Sequence, residues 1–186
     1  MEFQALTDLC ERLEATTKRT LMVNVTAEFI KKLDDEEVEP AISMILGRAF
    51  PRWDQRNLDV SWATLSNVIK RLAGASWVEF STAFRDTGDI GAATQIVFEK
   101  SKIHRQATLF ERPLTIIGVR RIFEAIAEST GPGSRERKER LIETLLGRAA
   151  PVEAKYIVKV MIGEMRTGFQ EGLMELAVSK AFSVPH

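Results

Sequence analysis

Apolar residues recur three and four apart along almost the whole chain, and no stretch of any length alternates with a period of two. The first pattern gives a helix one apolar face; the second is what a half-buried strand requires, so a sheet is not expected. The chain therefore reads as all-α, a single compact multi-helix domain. Phe3, Leu6, Leu9, Cys10 and Leu13 form the first stripe, and residues 21–33 form a second helix that buries Val25, Phe29 and Ile30. Asp34 and Asp35 cap a third, which runs to Gly47; Pro40 within it is tolerable only in a first turn. Residues 51–60 read as a loop. Ser61 then opens a helix stopped by Gly74, Ser76 and Glu79 make a capping box, Asp89 caps a helix through Phe98, and Thr115 caps a helix over 116–129. Residues 99–113 are polar and basic, a long loop. Three further helices span 135–146, 151–165 with Pro151 at its first position, and 170–182.

Composition agrees with one folded domain. Of 186 residues, 45% are hydrophobic and 28% charged, enough apolar mass for a core and too much for wholesale disorder. The single cysteine excludes an internal disulfide or a cysteine-based zinc site and fits an intracellular home. No apolar run approaches membrane-spanning length, and the N-terminus has no signal pattern. Twenty-six Lys and Arg balance 26 Asp and Glu, so a nucleic-acid surface has to be local. Residues 131–166 hold eight Lys/Arg against five Asp/Glu, a local net of +3.

That basic segment opens on the turn from Gly131 to Gly133. Two glycines around a proline end one helix and supply backbone freedom. Ser134 is the expected N-cap of the next helix. A helix start leaves amide N–H groups pointing outward, where they and the macrodipole attract an anion, phosphate above all. Arg135, Arg137 and Lys138 place cations in the first turn, the wrong sign for the dipole unless an anion binds between them. The plainer reading is a capped, solvated helix start.

There is a suggestion of duplication. Gly47 and Gly163 end helices of similar apolar spacing, 116 residues apart, and at that offset Phe29 and Ile30 meet Leu145 and Leu146, while Arg19 meets Arg135. Two generic amphipathic units would match as well. If the repeat is genuine, the domain has pseudo-twofold internal symmetry, with halves of about 1–100 and 114–186 joined by a loop over 101–113.

The motifs Leu114-Thr-Ile-Ile-Gly-Val-Arg120, Thr130-Gly-Pro-Gly-Ser-Arg-Glu-Arg-Lys138, Glu153-Ala-Lys-Tyr-Ile-Val-Lys159 and Gly163-Glu-Met-Arg-Thr-Gly168 occur in this order. In that combination the chain resembles the N-terminal DNA-binding domain of archaeal and eukaryotic replicative ATP-dependent DNA ligases. Thr87-Gly-Asp-Ile-Gly91 matches that family's Gly-Asp-x-Gly turn, and residues 14–19 match its early basic turn. The likeness is strongest from residue 114 onward and loose over 50–85. It implies an all-helical, pseudo-twofold domain that grips nicked duplex DNA across the minor groove, beside an adenylation domain and an OB-fold domain, in replication and repair. It implies phosphate contacts from Gly133, Ser134 and Lys138, from Arg166 and Gly168, and from Lys18 and Arg19. Glu164 stands where some members carry a basic residue. Read without the family, Arg166 is an ordinary cation near a helix C-terminus. ATP and Mg2+ are implied for the full-length ligase and no cofactor for this chain; the setting would be the nucleoid or cytoplasm of an archaeon or a eukaryotic nucleus.

No Lys-x-Asp-Gly adenylation motif occurs, so the chain alone is expected to be inactive, an excised domain whose parent is the ligase. His104 and His186 are isolated, no Walker sequence or nucleophile elbow is present, and the acidic run 34–39 reads as a helix cap rather than a metal site. Gln106-Ala-Thr-Leu-Phe110 resembles the short Gln-x-x-Phe-Phe motif with which archaeal members dock a sliding clamp, Leu109 replacing the first Phe. Gln106 would hydrogen-bond the clamp while Leu109 and Phe110 fill a pocket; alternatively, Leu109 and Phe110 staple the loop to the domain. The competing function is an α-helical protein-interaction scaffold without DNA binding.

Overall fold

A computed structural model describes residues 1–103 and 112–186. Among the described residues there are ten helices: α1 (Phe3–Glu14), α2 (Arg19–Ile30), α3 (Asp35–Ile45), α4 (Trp62–Ala73), α5 (Trp77–Thr87), α6 (Ile90–Lys100), α7 (Ile116–Glu128), α8 (Ser134–Arg148), α9 (Pro151–Ile162) and α10 (Glu171–Phe182). The only β-type pairing among them is one isolated antiparallel bridge, Glu2 with Thr115. It ties the start of α1 to the start of α7 through Phe3 N–H to Leu114 O (2.8 Å) and Ile116 N–H to Met1 O (3.2 Å).

Local chemistry explains most helix boundaries. Ser61 accepts from the Thr64 amide, Asp89 from Ala92 and Thr115 from Gly118, and Ser76 with Glu79 and Asp34 with Glu37 form capping boxes. Gly74, Gly88 and Gly163 end α4, α5 and α9 in the left-handed conformation. Gly163 stops α9 at Ile162, three residues before the expected end. Pro40 departs from expectation: it sits in the second turn of α3, buried. The carbonyl that its missing N–H leaves without its usual helical donor belongs to Glu36, an exposed residue.

One continuous core runs through both segments. Its axis is α9, where every residue from Glu153 to Val160 is buried. α9 packs on α6 and α1, α2 packs on α10, α4 on α8, and α7 on α8 and α3. Shifting α2 and α3 by 116 gives 135–146 and 151–161, against observed α8 (Ser134–Arg148) and α9 (Pro151–Ile162). The same shift exchanges the α1–α9 contact for the α7–α3 contact.

Candidate nucleic-acid interface

Four turns carry the expected site residues or face them. The first lies before α8. Gly131 and Gly133 have φ of +75° and +74°, a conformation that costs glycine little and other residues more. Gly133, not Ser134, is the N-cap; Ser134 is the first helical residue, its amide turned back to Gly131 O (3.1 Å). A glycine cap has no side-chain acceptor, so no side chain occupies the first-turn amides. Arg137 wraps the turn from outside, donating to Pro132 O (3.1 Å) and Thr130 O (2.6 Å). Arg135 is exposed beside Glu139 (3.3 Å).

Lys138 lies elsewhere than a bare phosphate cation would. It is 8% exposed, and its ammonium donates to Leu58 O (2.9 Å) and Asp59 O (3.0 Å). It thereby clamps the 51–60 loop against α8, holding Asp59 at φ +47°.

The second turn follows α9. Arg166 has φ +52° and Gly168 φ +72°. A non-glycine residue in this region is sparsely populated and is held there by its surroundings. Arg166 donates to Gly88 O (2.7 Å) and pairs with Glu164 (2.7 Å), its side chain still 55% exposed. The third turn is Gly88 itself, between α5 and α6, which the Arg166 guanidinium joins to the second. The fourth precedes α2. Lys18 and Arg19 are exposed there, Lys18 is the N-cap, and no side chain caps the helix. Among the described residues neither has an ion-pair partner.

Between the α8 start, the C-terminal end of α9 and the 47–61 loop lies a concave groove of about 750 Å³. Arg48, Arg52, Arg56, Arg135 and Lys138 line it against Asp54 and Asp59, five cations to two acids, net +3. Arg48 and Arg52 share Glu171 (2.7 and 2.9 Å), and Arg56 pairs with Asp54 (2.7 Å) and stacks over Phe50 at 4.5 Å. Hydrogen bonding from Arg48 holds the Glu171 carboxyl below its ordinary range. Sequence reasoning missed these three arginines; their four-residue spacing within an aperiodic loop was the available signal. Contacts from amides and arginines to phosphate oxygens carry no base readout. Among the described residues no group of three His, Cys, Asp or Glu could hold a metal ion, and no helix is long and apolar enough to cross a membrane. Gln106, Leu109 and Phe110 lie outside the described residues.

Comparison with known proteins decides the relationship. Residues 2–179 match the family model described as DNA ligase N terminus. The chain belongs to the DNA ligase N-terminal family. It is 39% identical over 184 residues to the DNA ligase of Thermococcus onnurineus, covering 99% of this chain and 32% of that protein. It is 34% identical over 183 residues to the DNA ligase of Archaeoglobus fulgidus, covering 98% and 32%, and 36% identical over 185 residues to DNA ligase 1 of Korarchaeum cryptofilum, covering 99% and 32%. This member of the DNA ligase N-terminal family thus spans about a third of the length of the relatives it matches.

Proposed function

We propose that this domain binds nicked duplex DNA without sequence preference, gripping backbone phosphates across the minor groove for an ATP-dependent ligase. The observation that carries the reading is the net-positive groove bordered by a helix start at Gly133 that has no side-chain cap and by the left-handed turn at Arg166. Gly133 offers its amide and Ser134 its hydroxyl, the Ser134 amide being turned back to Gly131 O. Arg166 and Gly168 offer a cation and a backbone that can approach closely, and Lys18 and Arg19 extend the contact. Lys138 spends two of its three N–H groups on the groove wall and lies 3.8 Å from the Asp59 carboxylate, which a phosphate in the groove would displace from the third. The reciprocal α1–α9 and α7–α3 packing supports a pseudo-twofold arrangement that would present related turns to the two strands. Adenylation with ATP and Mg2+ would belong to the rest of the ligase, with its OB-fold domain, in the nucleoid of an archaeon. Docking of a sliding clamp at Gln106, Leu109 and Phe110 rests on the sequence motif.

The test is fluorescence anisotropy of a labelled nicked duplex over a salt series. Counterion release makes log K fall by about 0.9 per phosphate contacted for each unit of log salt. Arg166→Ala should reduce that slope by about one and weaken every sequence alike. Binding by the unmodified chain that does not depend on salt would refute the reading and favour the scaffold.

A further inference from the structure

Lys159 sits on α9 and is 1% exposed, yet carries an ammonium. A buried charge is tolerated only when it is paired and hydrogen-bonded, and this one is enclosed by partners. It pairs with Glu14, pairs with Asp89 at 2.9 Å and donates to Met165 O at 3.1 Å. Its neighbour Lys155 binds Glu11 (2.8 Å) and Glu14 (2.7 Å), and the Tyr156 hydroxyl donates to Glu11 at 2.6 Å. Burial pushes the Asp89 carboxyl up, but the Lys159 ammonium and the Ala92 amide outweigh it and hold it below its ordinary range.

Stability alone does not require such a cluster, since well-packed apolar residues often replace a buried ion pair without loss. What distinguishes the three partners of Lys159 is where they sit. Glu14 is the last residue of α1, directly before the turn that leads to Lys18 and Arg19. Asp89 caps α6 directly after Gly88. Met165 directly precedes Arg166. Gly91 leaves room for the arrangement, because a Cβ there would stand 2.6 Å from Lys159 Cγ.

We infer that Lys159 is a positioning residue for DNA binding: its buried ammonium fixes the turns at 15–19, 87–89 and 165–168 relative to one another. It also neutralises two carboxylates, Glu14 and Asp89, that would otherwise lie beneath sites meant for phosphate. The inference rests on the DNA-binding reading above. Lys159 touches no nucleic acid itself; it acts through the spacing of groups that do, and phosphates at fixed intervals along a duplex reward fixed spacing.

The experiment compares salt slopes for the unmodified chain, Lys159→Met, Asp89→Asn and Val158→Ala, each at a temperature where its own unfolding curve places it in the folded baseline. Val158 is fully buried beside Lys159 and serves as the control for lost stability. Lys159→Met should flatten the slope by about two, the loss of roughly two phosphates. Asp89→Asn retains an N-cap acceptor but loses the charge, and should flatten it by about one. Val158→Ala should leave it unchanged. If Lys159→Met does not fold, Asp89→Asn decides. A steep slope for the unmodified chain with unaltered slopes in both charge variants would overturn the positioning role alone, as would equal flattening in Val158→Ala. A flat slope for the unmodified chain would overturn the DNA-binding reading and this role together.

Discussion

Replacing Gly91 by alanine should destabilise the domain, against the usual expectation for a helix. Gly91 and Gly172 are each the second residue of a helix, α6 and α10. At a helical backbone, Gly→Ala ordinarily stabilises by about 0.4–1 kcal/mol, because the unfolded chain loses freedom. At Gly172 a Cβ meets nothing within 4 Å, so that gain should appear in full. At Gly91 the Cβ would stand 2.6 Å from the Lys155 carbonyl oxygen, 2.6 Å from Lys159 Cγ and 3.0 Å from Lys159 Cε. Lys155 O is backbone of the central helix, and Lys159 is held by Glu14 and Asp89, so neither gives way easily. Overpacking of this kind costs about 1–3 kcal/mol. Taking the upper end less the backbone gain, Gly91→Ala should cost about 2 kcal/mol. For a domain of this size each kcal/mol moves Tm by about 2–4 °C, so Gly91→Ala should melt about 4–8 °C lower and Gly172→Ala about 1–4 °C higher. Thermal unfolding followed by circular dichroism at about 222 nm measures both. Equal Tm values for the two variants would refute the close α6–α9 approach on which the reasoning depends.

The domain should lose stability at both ends of the pH scale. Asp89 and Glu11 are depressed in the folded state from ordinary values of 3.8 and 4.5, burial opposing and the lysine hydrogen bonds prevailing. Their contribution is present above those values and disappears as pH falls through the lower folded ones. Lys155 is raised from 10.5 because Glu11 and Glu14 outweigh burial, and Tyr156 is raised from 10.0 by burial and by Glu11. Both contribute fully below about pH 10 and lose that contribution as pH rises further. Urea midpoints across pH should therefore show a plateau between, and a midpoint unchanged from pH 3 to pH 11 would contradict the network. For the clamp motif, Phe110→Ala should leave Tm nearly unchanged while abolishing affinity for a purified sliding clamp. A loss of about 3 kcal/mol, as for a buried Phe, with clamp binding retained, would assign Phe110 to the core.

The sequence by itself determined the helices and most of their ends. Apolar spacing marks a buried face, and a cap acts on amides within three residues of itself, so Ser61, Ser76, Asp89 and Thr115 were legible without a fold. The family was legible too, through four ordered motifs. Even the local reading erred where a glycine did the work: Ser134 looked like the cap, but the left-handed Gly133 holds that position. Tertiary structure alone decided which charges are available. Lys138 and Arg135 read alike in the chain, yet one reaches across 80 residues to the Leu58 carbonyl and the other faces solvent. Arg48, Arg52 and Arg56 became a groove wall only when α9 and α8 closed the other side. In the sequence Lys159 is only the last residue of a family motif, one of two lysines between 151 and 162; it became a hub because α1, α6 and the 165–168 turn converge on it. Pairings between residues far apart in sequence leave no periodicity behind, since each depends on where two separate helices have been placed by the core.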